Sequence, residues 1–397
     1  MRSRQDTYLG QADRSVAGRT TGSMSRREAL CAGASTVLWT MIAGLMGGAK
    51  PARAQALGGH VPTVDRLSVR VVTDSYYLAF AQNHMVGGME VQRFRIPPSD
   101  QPPGRALLSE FGLAWHVEST RGGETRHVML DFGFTGDTLN NNLDLYGIAP
   151  EQIDAMMLTH GHYDHFGGMV GFLTKHQSKL KAGIPFYVGG EEAFCTRQSV
   201  VGPQPSNFGA LDRRAIEVAN VKVLFADRPS LVADHGFATG PLPTVSFERI
   251  FAPTRMRAGV QGGFGCDPAQ LAEDKRNTAT ADYIPDDFAH EIALVFHVRN
   301  RGLVVLSSCS HRGVVNAVQR AMAVSGVHKV HAVLGGFHLA PHPGDYVRDT
   351  VLALKALDPD AVVPMHCTGE VFMEIAAREM PSKVVRSYTG TRYVFGA

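Results

Sequence analysis

Residues Leu158 to Gly168 read Leu-Thr-His-Gly-His-Tyr-Asp-His-Phe-Gly-Gly, which places three imidazoles and one carboxylate within the six positions from 160 to 165. No other feature of the 397-residue chain restricts its folding as strongly. Polar groups packed this densely cannot be core, because each would be buried at a cost of several kcal/mol without a partner (roughly 1–3 by mutation). They follow an apolar run, Ala155 to Thr159, and precede a glycine pair and a helical pattern beginning at Met169. The expected local structure is a strand, a turn that aims side chains at a shared site, and a helix. Such a turn can direct His160 and His162 towards one metal ion and Asp164 and His165 towards a second. Imidazole with carboxylate suits zinc first, and iron or manganese also. Two divalent ions are therefore the expected cofactors.

Short β-branched and apolar runs recur along the chain. Expected strands cover 67–73, 113–117, 126–130, 155–159, 185–188, 221–225, 245–251, 292–298, 302–307, 330–334 and 361–365. Helical patterns fall at 169–180, 314–325, 346–357 and 371–378. Strands that first form hairpins and later alternate with helices predict a layered α/β protein with helices outside its sheets. Residues 87–105, with Pro97-Pro98 and Pro102-Pro103, and 253–289, rich in Gly, Asp and Ala, read as long loop insertions near a substrate. No fixed-period repeat interrupts the order, so 55–397 is expected to form a single domain.

The formal charge is +2, but residues 1–54 carry eight basic and three acidic groups, and 55–397 carry 31 and 34. A body near −3, without a basic run interleaved with aromatics, excludes a nucleic-acid partner. Ser25-Arg26-Arg27-Glu28-Ala29-Leu30, the uncharged stretch Ala29 to Ala49, and Pro51-Ala52-Arg53-Ala54 resemble a twin-arginine export signal with a cleavage site after Ala54. The resemblance implies a partner in the twin-arginine export machinery, a periplasmic product beginning at Gln55, and no stable membrane anchor. Beyond the leader's Cys31, the chain has Cys195, Cys266, Cys309 and Cys367 without close pairing. That spacing argues against a disulfide framework while permitting one bridge, with Cys195–Cys266 the first pairing to test.

Three later motifs accompany the histidine-rich turn: Ser307-Ser308-Cys309-Ser310-His311-Arg312-Gly313, Gly335-Gly336-Phe337-His338-Leu339 and His366-Cys367-Thr368-Gly369. Cys309 and His311 lie two apart beyond an apolar strand, so in extended geometry they face one side. Together with His160-x-His162-x-Asp164-His165, these motifs resemble the metallo-β-lactamase superfamily, and within it the dihydropterin phosphate synthase-like branch, over about 65–397. The resemblance implies an αββα sandwich with a one- or two-metal site along the sheet edges. It implies His366 as the last ligand, and it places Cys309 where many members carry a bridging aspartate. The separate Gly-His-Thr ligand motif of the superfamily is missing, which makes His311 a candidate ligand. Cys309 is either a thiolate ligand or a small buried residue beside it. The resemblance gives His338 a role in substrate binding or proton transfer, and Asp131 the task of orienting the metal-binding loop, with Asp74 a weaker case of the same kind.

The expected activity is that of an exported metallo-hydrolase, in which hydroxide on a mono- or dinuclear metal centre attacks a carbonyl or phosphoryl carbon or phosphorus of a small molecule. Asp164 would hold the water and His338 would help the leaving group. Iron-dependent oxygenation, or a dihydropterin phosphate synthase-like transfer, are the alternatives on the same fold. His235 reads as a surface turn. His290, His328, His331 and His342 lack a motif and read as surface or core residues. Branch relatives tend to carry Glu-His-Gly where this chain has Glu110-Phe111-Gly112, so substrate contacts there are expected to differ.

Overall fold

The computed structural model describes residues 52–396. Two twisted sheets face each other. The larger runs, edge to edge, through Ala52–Arg53, Lys222–Phe225, Pro185–Val188, Ala155–Met157, Glu124–Leu130, Ala114–Arg121, Arg66–Thr73, Arg392–Phe395, Met89–Gln92 and His84–Val86. The smaller runs through Ser230–Val232, Gly236–Ala238, Leu294–Val298, Gly302–Leu306, Val330–Gly336 and Ala361–Met365, with Thr63–Val64 beside Leu294–Val298. Alternation decides which side chains meet. Trp115, Val117, Leu130 and Met157 from one sheet pack with Leu306, Leu334 and Val363 from the other in a dry layer between them. Each such side chain, fully buried, contributes roughly 1.5–3 kcal/mol.

The opposite faces take the helices. Gly136–Tyr146 and Met169–His176 cover the larger sheet through Leu139, Leu143, Met169 and Phe172. Val314–Ser325, Gly344–Ala356 and Glu370–Glu379 cover the smaller one through Val318, Val351 and Phe372. The result is the αββα sandwich. The strands Glu124–Leu130 and Ala155–Met157 are parallel, as are Gly302–Leu306, Val330–Gly336 and Ala361–Met365. Their carboxyl ends therefore open along shared edges, and the motif residues follow directly after them.

Four sequence expectations need correction. Residues 245–251 form no strand: Asn316 Oδ1 accepts from the N–H groups of Val245 and Ser246, and Glu248 accepts from those of Val315 and Asn316. The segment thus crosses the first turn of Val314–Ser325, where a carboxylate meets unpaired N–H groups and the positive end of the helix. Residues 87–105 are not loop throughout, since Met89–Gln92 pairs with Arg392–Phe395 and buries Met89 and Val91 at alternate positions. Dense glycine and proline around it obscured that short period.

Residues 253–289 hold the strand Thr254–Arg257 and the helix Glu273–Ala281. That strand joins Ser206–Gly209, Thr196–Ser199 and Ile284–Pro285 in a four-stranded cap. A Cys195–Cys266 disulfide ties the cap together. His235 is buried rather than at the surface, its Nδ1 3.1 Å from Ser119 Oγ across the sandwich.

The expected leader lies outside the described residues except for its last three. Of these, Ala52 and Arg53 pair in parallel with Leu224 and Phe225, and the Ala54 N–H donates to the Phe225 carbonyl. Among the described residues no helix is long and apolar enough to cross a membrane.

Candidate metal centre

The turn after Ala155–Met157 is held by one carboxylate. Asp131 accepts from the Thr159 N–H at 2.8 Å, the Thr159 hydroxyl at 2.9 Å and His165 Nδ1 at 2.9 Å. An ionised carboxylate only accepts, so the His165 proton sits on Nδ1 and the Nε2 lone pair faces the centre, 3.1 Å from Cys309 Sγ. Gly161 separates the first two histidines because a Cβ there would lie 2.3 Å from the Ala193 carbonyl oxygen. Its N–H donates to His290 Nε2 at 3.0 Å, and Arg197 Nη2 donates to the same nitrogen at 3.1 Å. His162 Nε2 pairs with Thr254 Oγ1 at 2.9 Å, which leaves Nδ1 as its remaining ring nitrogen.

Ligand atoms of His160, His162 and His311 lie within 4.8 Å of one another, and so do those of Asp164, His165 and His366. Cys309 adjoins both groups, forming further sets with His160 and His165, with His311 and His338, and with His366 and Cys367. Asp164 Oδ2 is 3.1 Å from His366 Nε2 and 3.7 Å from His165 Nε2. His160 Nε2, Asp164 Oδ1, His366 Nδ1 and both ring nitrogens of His311 and His338 are buried without a hydrogen-bond partner. Orphaned polar atoms cost roughly 1–3 kcal/mol each, and a divalent cation at this place satisfies several at once. The donor set therefore fits divalent ions.

The protonation states of His160, His162, His311 and Asp164 agree with that fit, whereas His366 and Cys309 would release a proton on binding an ion. Burial depresses His160 and His311 far below the ordinary imidazole value and His162 to about 3, so these rings stay neutral, the form that binds metal. Burial opposes ionisation of Asp164, but His165 and His366 outweigh it and hold the carboxyl below the usual range. Burial also works against a charged His366, yet the Cys367 sulfur and Asp164 push it up to about 9. Burial pushes the Cys309 thiol up, with Cys367 adding to the rise.

The backbone is strained where the site is built. Asp131, Phe288, Ser310, His338 and His366 all have φ between 44° and 56°. Each such residue costs on the order of 1–3 kcal/mol, and clustering of this kind is characteristic of functional sites. Ring packing fixes the imidazoles: Phe288 stacks on His311 with centroids 3.9 Å apart, and Phe111 stacks on His366 at 4.7 Å.

Several residues that serve the centre carry no sequence motif. Thr254 comes from the segment read as a loop and His290 follows directly after it, and Glu291 accepts from the N–H groups of His311 and Arg312 at 2.9 and 2.8 Å. The buried Arg197–Asp286 pair, 2.6 Å apart, lies behind His290. Asp74 accepts from the His366 N–H at 3.0 Å. His331, in contrast, is buried on Asp360 and belongs to the core.

The ligand groups open into a cavity of about 230 Å³. Phe111, Val201, Phe208 and Pro253 form its wall, with Ser199 and Thr254, above His162, Asp164, Cys309, His338 and Cys367. No lysine or arginine is among the described residues that line it.

The chain has the fold of the metallo-β-lactamase superfamily, whose family model matches residues 110–185. It is 26% identical over 279 residues to 7,8-dihydropterin-6-methyl-4-(beta-D-ribofuranosyl)-aminobenzene-5'-phosphate synthase of Methanocaldococcus jannaschii, covering 67% of this chain and 85% of that protein. An uncharacterised protein of the same organism is 23% identical over 274 residues, covering 68% and 88%. Among solved structures, Tm1679, a metal-dependent hydrolase of the β-lactamase superfamily, superposes with a TM-score of 0.58 at 22% identity, over 82% of this chain and 98% of that one.

Proposed function

We propose that this chain is an exported metal-dependent hydrolase that attacks the carbonyl carbon of a small, uncharged and largely apolar molecule. The observation that carries the reading is that the orphaned carboxylate and imidazole atoms of Asp164 and His338, with His162 and Cys309, line a cavity shared with Phe111, Val201, Phe208 and Pro253. His160, His162 and His311 would hold one ion, and Asp164, His165, His366 and Cys309 the other, with zinc the proposed metal. Such ions supply Lewis acidity and a water that ionises near neutral pH. Asp131 keeps the His165 tautomer fixed, and Thr254 holds the orientation of the His162 ring. His338, lining the cavity with two free ring nitrogens, is placed to move a proton to the leaving group.

The lining separates carbonyl from phosphoryl substrates. Metal ions can hold one end of a phosphate ester, but Arg, Lys or helix amino termini commonly hold the rest of its charge, and no Arg or Lys is among the described residues that line this cavity, which favours an uncharged carbonyl substrate. Phe111 in place of the branch's histidine also makes the cavity less polar. A metal-replete preparation assayed on esters, lactones, amides, phosphomonoesters and phosphodiesters should hydrolyse acyl esters or lactones with apolar side chains, at kcat/KM values at least ten-fold above any phosphate ester. Preference for a phosphate ester, or oxygen uptake coupled to substrate loss, would overturn the proposal.

Export is supported by the leader-like residues 1–54 and by the Cys195–Cys266 bond, since disulfides persist in oxidising compartments. Mass spectrometry of the product made in an export-competent bacterium should find a mature chain beginning at Gln55 in the periplasm. Retention of residues 52–54, which pair with the larger sheet, would move the cleavage site.

A further inference from the structure

We propose that Cys367 is a metal ligand and that, with Cys309 and His366, it makes one ion position a two-thiolate site. The proposal rests on reading the histidine cluster as a metal centre and names a ligand beyond the histidine and aspartate set.

Four observations converge. The two sulfurs lie 3.4 Å apart, both buried, and both face the cavity beside Asp164 and His338. Sulfurs bound about 2.3 Å from one tetrahedral ion would stand roughly 3.8 Å apart, so a small adjustment suffices. Ligand atoms of Cys309, His366 and Cys367 already lie within 4.8 Å of one another.

The local backbone explains how neighbouring residues reach one ion. Successive side chains of a strand point to opposite faces. Here the strand Ala361–Met365 ends in a 3-10 turn, His366–Thr368, whose first residue has φ of 53°. That reversal turns the imidazole and the next thiol to the same side. The strand alongside makes room for the sulfur: a Cβ at Gly336 would lie 2.8 Å from Cys367 Sγ and 2.3 Å from the Ser308 carbonyl oxygen. Any larger residue at 336 would displace the thiol from the site. Two thiolates with an imidazole favour zinc, iron(II) or cobalt(II) over magnesium, calcium or manganese.

The full chain, stripped with a chelator and reloaded with cobalt(II), tests the proposal. The expected spectrum has sulfur-to-cobalt charge-transfer absorption in the near ultraviolet. Its intensity should fall by about half in Cys367→Ser and in Cys309→Ser and vanish in the double variant. Zinc-edge X-ray absorption on the unmodified zinc protein should find an average of about one sulfur per zinc at two zincs per chain. This measurement decides the case even if a serine variant does not fold. An unchanged charge-transfer band in Cys367→Ser, or about half a sulfur per zinc, would remove Cys367 from the ligand set and leave the histidine centre intact. Failure of the unmodified chain to take up either metal would overturn the metal-centre reading and this proposal with it.

Discussion

Asp164→Asn should lower kcat/KM on the best substrate of the panel by on the order of 10³ or more, and should reduce the metal content to about one ion per chain. Loss of a single hydrogen-bond donor at a reacting oxygen costs roughly 10²–10³ in other enzymes, and losing a charged ligand should cost at least as much. The argument turns on charge. Asp164 is an ionised carboxylate set among His165, His366 and the orphaned nitrogens around them, with Oδ1 still free. Asparagine keeps the shape and the backbone carbonyl that accepts from the Leu113 N–H, so the fold should survive. Steady-state kinetics and elemental analysis on the same sample would check it. A variant that keeps two ions and more than a tenth of the activity would show that Asp164 does not serve the chemistry.

Arg197→Met should cost about 3–5 kcal/mol of stability, the range for breaking a buried ion pair by removing one partner. The Arg197 guanidinium is fully buried and donates to Asp286 at 2.6 Å, to the carbonyls of Glu192 and Cys195 at 3.0 Å, and to His290. Burial alone would raise the Asp286 carboxyl, but Arg197 overrides it and holds the group down to about 2. In the native protein that pair stabilises the fold above the ordinary aspartate value of 3.8, and the contribution is lost as pH falls towards 2. In the variant the sign reverses. The unpaired carboxyl titrates above 3.8, and its protonated form is favoured in the fold, so the deficit should be largest near pH 8 and smaller at pH 5. Urea denaturation at both pH values would measure this. Arg197→Met combined with Asp286→Leu should recover part of the loss. A single variant within 1 kcal/mol of the parent at pH 8, or a double variant no better than the single, would show the pair to be dispensable.

The histidine turn was legible because its ligands are packed into six residues at a strand end, and the strands Pro185–Val188 and Ala361–Met365 because apolar residues fill them from end to end. Helices outside layered sheets followed from hairpins that give way to alternating strands and helices, and the αββα order from the family resemblance of the motifs. The support of the site was not legible. Arg197, Asp286 and His290 are ordinary polar residues in ordinary contexts, and their value arises where the four-stranded cap brings two distant segments together behind Gly161. Thr254 and the helix Glu273–Ala281 were hidden by a glycine- and aspartate-rich composition that reads as loop. Cys367 carries no ligand signal in the sequence, since neighbours along a strand point to opposite faces, and the left-handed backbone at His366 departs from that rule.

Thr254 both lines the cavity and holds His162, and it sits in the cap closed by Cys195–Cys266. One wall of the cavity is therefore bound to the upkeep of the centre, while Phe111, Val201 and Phe208 hold no ligand by a hydrogen bond. The two walls are unequal material for divergence. Descendants of this chain would be freest to alter what they accept at position 201, whereas changes at 111 and 208 would loosen the rings of His366 and His162, and a change at 254 would trade selectivity against the integrity of the metal-binding turn.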